Sequence, residues 1–177
     1  MTKANLKYYA PVLFFFFLLL DGQLTSFLDG YTHNVYFAIS HFLLLAFLLA
    51  TDVLPKRYLI VTALILGLIY DSYYVGIIGI YSVIYPLTVA LMITFEKTIN
   101  TNVFTRFFGA IISITFFELA ALVMQMLFQF TNAAPLYFIS RALGPTLLLN
   151  ICLYWIFVYP LGKLFFIWRP RKRPAKQ

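Results

Sequence analysis

Charge is what this sequence has least of. Only 11% of its 177 residues are charged, thirteen basic and six acidic, against about a quarter in a soluble globular domain. Too few polar side chains are present to cover a water-soluble globule of this size, which excludes a soluble enzyme, a nucleic-acid-binding domain and a disordered segment. Cys152 is the only cysteine and lies inside an apolar run, so no intrachain disulfide can form and no redox compartment is indicated. The two histidines, His33 and His41, are eight residues apart and divided between a loop and an apolar run, so no metal cluster can be built from them. G-x-S-x-G, P-loop and H-E-x-x-H patterns are all missing. Neither a cofactor nor an enzymatic activity is expected.

What is present suits lipid as the solvent. Apolar residues make up 63% of the chain and aromatic residues 20%, with twenty Phe and thirteen Tyr. A helix crosses the hydrocarbon core with roughly 20 apolar residues, and six such segments are read at about 8–28, 35–53, 58–74, 77–95, 104–130 and 142–168. The first follows Lys3 and Lys7, but no A-x-A-like cleavage site comes after Leu20, so it reads as a retained span rather than a signal peptide. Only Val75 and Gly76 separate the third and fourth spans, which predicts a tight helical hairpin.

The basic residues set the orientation. Lys3, Lys7, Lys56, Arg57, Lys97, Arg106 and the tail from Arg169 to Lys176 all fall on one side of a six-span arrangement, while the other side carries Asp29, His33 and a single basic residue, Arg141. The positive-inside rule then puts both termini in the cytoplasm. The expectation is an all-α integral membrane protein, with one six-helix domain over 1–168 and a basic cytoplasmic tail over 169–177. Trp168 would anchor at the interface, and the tail would hold anionic lipid at about 1 kcal/mol per basic residue.

Ionisable groups at membrane depth are costly and are functional candidates for that reason. Asp21 and Gly22 close the apolar run of the first span, Asp71 lies near the outer end of the third, and Glu118 sits near the middle of the fifth; Asp52 reads as interfacial. A plain structural role, as a protonated or hydrogen-bonded carboxyl, outweighs a catalytic or transport role for each. Thr115, Glu118, Gln125 and Gln129 are spaced three, seven and four apart and share a helical face, and Thr146 and Asn150, four apart in the sixth span, are placed to meet it. A helix interface is the first reading of that stripe, and a polar cavity between the fifth and sixth spans the second. Gly67 stands four residues before Asp71, so the acid shares a face with a site of close helix approach, while Gly76 and Gly79 permit the reversal into the fourth span.

The string Gly67-Leu68-Ile69-Tyr70-Asp71, followed by Gly76 and Gly79-Ile80-Tyr81, resembles the signature of the MreD family of rod-shape-determining proteins, as does Leu18-Leu19-Leu20-Asp21-Gly22. Chain length, span number and terminal placement agree with that resemblance over nearly the whole chain. It implies a non-enzymatic component of the bacterial cell membrane that works in cell-wall elongation with MreC, a RodA-type glycosyltransferase and a class B penicillin-binding transpeptidase, and with MreB in rods. On that reading Asp21, Gly22, Gly67, Asp71, Gly76, Gly79 and Tyr81 support the fold or a partner contact. MreD-like chains are also similar in fold to the substrate-binding S-components of energy-coupling-factor vitamin transporters. The bulky first span, Pro11-Val12-Leu13-Phe14-Phe15-Phe16-Phe17, lacks the small-residue docking pattern of those subunits, whereas the span-five stripe would suit a pocket. A small channel using Glu118 or Asp71 in an ion path is a third reading.

Overall fold

The computed structural model describes residues 3–31, 37–96, 102–130 and 135–165. Helices α1 (Lys3–Tyr31), α2 (Phe42–Ala50), α3 (Lys56–Tyr70), α4 (Tyr81–Thr94), α5 (Val103–Leu127) and α6 (Gly144–Leu164) carry the fold, and no strand occurs among the described residues. One π-helical turn, Asp71–Val75, prolongs α3; another, Ile139–Leu143, joins the short helix Pro135–Phe138 to α6. Four stretches are long and apolar enough to cross a membrane: Lys7–Tyr31, Lys56–Val75, Val103–Leu127 and Ile139–Leu164. His33, Trp168 and the tail at 169–177 lie outside the described residues.

The remaining two helices are short. With nine residues, α2 extends about 14 Å, less than half of the roughly 30 Å hydrocarbon thickness. The expected helix over 35–53 is therefore corrected: residues 37–41 are not helical, and only Phe42–Ala50 is. Hydropathy reports burial and cannot distinguish helix from extended chain. Every residue of α2 is buried, and the helix packs on α1, α4, α5 and α6 as the axis of the bundle. Likewise the fourth span begins at Tyr81 rather than at 77, after a π-turn and a loop in which Gly76 and Gly79 take φ of 76° and 125°. Both values are open to glycine and strained for other residues.

Polar contacts gather alternate helix ends on one side. The Tyr58 hydroxyl donates to the Lys7 carbonyl over 2.6 Å, Arg106 Nη2 meets Asp52 Oδ2 at 2.6 Å, and Lys56 pairs with Glu96 at 3.1 Å. The starts of α3 and α5, the ends of α2 and α4, and the early part of α1 thus lie together, as antiparallel packing with short connections requires. Asp52, read from the sequence as interfacial, is the half-buried partner of Arg106.

At the other side Asp71 closes the α3–α4 hairpin. Its side chain is fully buried, and its oxygens accept from the amides of Gly79 (2.9 Å), Tyr81 (2.8 Å) and Ser82 (3.0 Å). These amides open α4 and have no helical carbonyl to bond, so a carboxylate from the neighbouring helix supplies the cap. The π-turn places Asp71 there, and Gly67 lets the backbones approach. A Cβ at Gly67 would stand 2.5 Å from the Tyr81 carbonyl oxygen and 2.6 Å from Ser82 Cα. Because both obstacles are backbone, Gly67→Val must separate the helices. We expect it to destabilise by about 2 kcal/mol or more, with Asp71→Ala costing a similar amount through orphaned amides. Thermal unfolding in detergent checks both, and unchanged transitions would contradict the hairpin account.

Candidate functional site

The segment 37–41 has no helical partners for its backbone groups, yet it lies within the bundle. Unpaired backbone in hydrocarbon costs several kcal/mol per group, so irregular chain persists at membrane depth only where protein satisfies it. Here side chains of α1 and α6 do so. The Ile39 amide donates to Thr146 Oγ1 (3.1 Å), and the Ser40 amide to Thr25 Oγ1 (3.1 Å). Asn150 accepts the His41 amide (2.9 Å) and donates to the Ile39 carbonyl (2.8 Å). The Phe37 amide reaches the Arg141 carbonyl at 2.9 Å. Asp21 then caps α2 from outside: it accepts the Phe42 amide (2.7 Å), the Leu43 amide (2.9 Å) and the Ser40 hydroxyl.

Beside the segment 37–41 lies a cavity of about 110 Å³. Asp21, Ser40 and His41 line one wall, and Tyr70, Tyr81, Tyr85, Phe117 and Glu118 the other. His41 Nε2 and Glu118 Oε1 are 2.7 Å apart, with both residues buried. Tyr74 lies across Gly22, where a Cβ would collide with its ring, and the cavity reaches the surface beside Ser26. Gly22 thereby lets an aromatic side chain close over the site next to Asp21.

Several sequence-derived positions fall elsewhere. Thr146 and Asn150 do not serve the span-five stripe; they hold the segment 37–41. Gln129 stands beyond the end of α5, exposed and at a φ of 60°, so it is not part of a helical face. Thr115 is half-buried, and Gln125 bonds the Tyr81 hydroxyl. Between α5 and α6 there is room for only about 10 Å³; the polar cavity opens between α1, the segment 37–41, α3, α4 and α5 instead. The absence of a metal cluster leaves His41 without a role in the sequence, although an imidazole in an apolar run is itself a signal that a buried acid is near. Among the described residues no group of three or more His, Cys, Asp or Glu is placed to hold a metal ion.

Comparison with known proteins gives two correspondences. The family model described as rod shape-determining protein MreD matches residues 2–167. A cell shape-determining protein MreD of Streptococcus pneumoniae (strain ATCC BAA-255 / R6) is 30% identical over 144 residues, which cover 81% of this chain and 86% of that protein. No solved structure matches.

Because Asp21 satisfies three donors at once, Asp21→Ala should destabilise the fold by on the order of 3 kcal/mol, and Asn150→Leu by a comparable amount. Leu119→Ala, on an exposed position of α5, should change little. Thermal unfolding of the three variants in one detergent separates them; equal transitions would mean that the segment 37–41 does not depend on these side chains.

Proposed function

The chain belongs to the MreD family, and from that membership we propose that it is a non-catalytic scaffold that organises MreC and the peptidoglycan synthases of the bacterial cell-wall elongation machinery. As a member of the family it is a membrane protein with a role in cell shape. The observation that carries the finer reading is the extent of the correspondence, residues 2–167, together with a relative whose name describes it as determining cell shape. The partners we assign are MreC, a RodA-type glycosyltransferase and a class B penicillin-binding transpeptidase, with MreB in rod-shaped cells.

The physical basis for a scaffold is a rigid interior with an apolar exterior. Asp21 and Asp71 tie helix starts to neighbouring helices, while Phe16, Val61, Ile65, Phe108, Ile112, Leu148 and Ile156 are exposed on the long helices. In lipid such faces associate with other spans through packing rather than through hydrophobic burial. We read six passes over 1–168 with both termini cytoplasmic. In this orientation the pairs Arg106–Asp52 and Lys56–Glu96 face the cytoplasmic side, and the basic tail meets anionic lipid. A second reading, a substrate-binding subunit of a vitamin transporter, is favoured by one observation, the polar cavity.

Affinity purification from native membranes in mild detergent distinguishes the two. The scaffold reading expects MreC, the glycosyltransferase or the transpeptidase to be recovered. Paired ATPases and a coupling membrane subunit, recovered in their place, would overturn it. A C-terminal reporter is expected to be active only in the cytoplasm, and an external one would reverse the topology.

A further inference from the structure

The cavity beside segment 37–41 carries groups that the fold does not use. Asp21 is fully engaged in holding the segment. Glu118 is only 4% exposed, and among the described residues its one hydrogen bond is that of Oε1 to His41. Its second carboxylate oxygen is not among the sealed, partnerless atoms of the described residues, so it stays open to an occupant of the cavity.

Three properties define what fits. The first is charge: two carboxylates, Asp21 and Glu118, face a single imidazole, and no Lys or Arg is among the residues lining the cavity. An anion is thus disfavoured, and a cation meets in Glu118 a carboxylate whose one bonded partner among the described residues is the His41 imidazole. The second is surface. Tyr70, Tyr81, Tyr85 and Phe117 form a continuous ring cluster, with centroids 4.5 Å apart for Tyr70–Tyr81 and 4.9 Å for Tyr85–Phe117. Ring faces attract an organic cation, and among the described residues no group of three or more His, Cys, Asp or Glu is placed to hold a metal ion. The third is size: about 110 Å³ is somewhat smaller than the roughly 150 Å³ cavity that accommodates benzene, which suits a head of about five heavy atoms.

We propose that this cavity binds a small organic ammonium head, an alkylammonium or quaternary ammonium group, carried by a free amine or by a lipid. The carboxylate of Glu118 supplies the counter-charge, the tyrosine and phenylalanine rings the walls, and Tyr74 over Gly22 the cover. The partly open side beside Ser26 leaves room for the rest of the molecule.

The full-length protein, reconstituted in nanodiscs of phosphatidylglycerol alone, is titrated calorimetrically with choline and with its uncharged isostere 3,3-dimethylbutan-1-ol. Saturable choline binding is expected, with the isostere about tenfold weaker or more. Glu118→Gln should lose about tenfold, and since that change also disturbs His41, two further variants keep the test independent of it. Tyr85→Phe, which keeps the ring, should bind within about threefold of the native protein, whereas Tyr85→Leu should lose about fivefold or more. Native mass spectrometry from membranes containing phosphatidylethanolamine and phosphatidylglycerol identifies the source. Retained amine lipid that choline displaces assigns a lipid head, and choline binding without retained amine lipid assigns a free amine. Equal affinity for the isostere, unchanged binding in Tyr85→Leu, or neither saturable choline binding nor retained amine lipid would overturn the proposal.

Discussion

Backbone polar groups inside a bilayer must find partners within the protein, and the arrangement of this chain follows from how it meets that demand at residues 37–41. A continuous helix there would have needed no help. Instead the segment is non-helical and draws its bonds from Asp21 and Thr25 on α1 and from Thr146 and Asn150 on α6. Those bonds fix two long helices against a central short one, and they bury α2 along its whole length. They also border a cavity lined by His41 and Glu118, which meet there as a pair. Core, helix placement and cavity are therefore three consequences of one break in a helix.

The same device recurs in the α3–α4 hairpin. A buried aspartate from one helix accepts the opening amides of another, Asp21 for α2 and Asp71 for α4. Both carboxylates sit where partial positive charge is concentrated, at a helix N-terminus, which is how an acid is retained at this depth without a basic partner. Glu118 differs, since it caps nothing and meets a side chain rather than backbone. The two aspartates are accounted for by architecture; the glutamate is not, and the inference about an ammonium ligand starts from that contrast.

Much of this was legible in the sequence. The scarcity of charge and the long apolar runs indicated an all-helical membrane chain, and the strings around Asp21 and Gly67–Tyr81 pointed to the family that the comparisons show. Placing Gly67 and Asp71 on one helical face follows from spacing alone. The break before Phe42 was not legible, because a non-helical segment satisfied by distant side chains has the same hydropathy as a helix. Thr146 and Asn150 were recognisable as a polar pair, but their target, backbone more than 100 residues away, leaves no local pattern. Gln129 matched the stripe by counting and missed it because α5 ends at Leu127. His41 was the available clue to the cavity, and its meaning depended on Glu118 lying opposite.

The account's central claim concerns the amides of Ile39, Ser40, His41, Phe42 and Leu43, and hydrogen exchange of the intact protein in nanodiscs reads them directly. If side chains of α1 and α6 hold the segment, these amides exchange as slowly as those in the middle of α2, although the first three lie outside any helix. Exchange as fast as that of frayed helix ends would show that the segment is not held, and the explanation of both the fold and the cavity would fail with it.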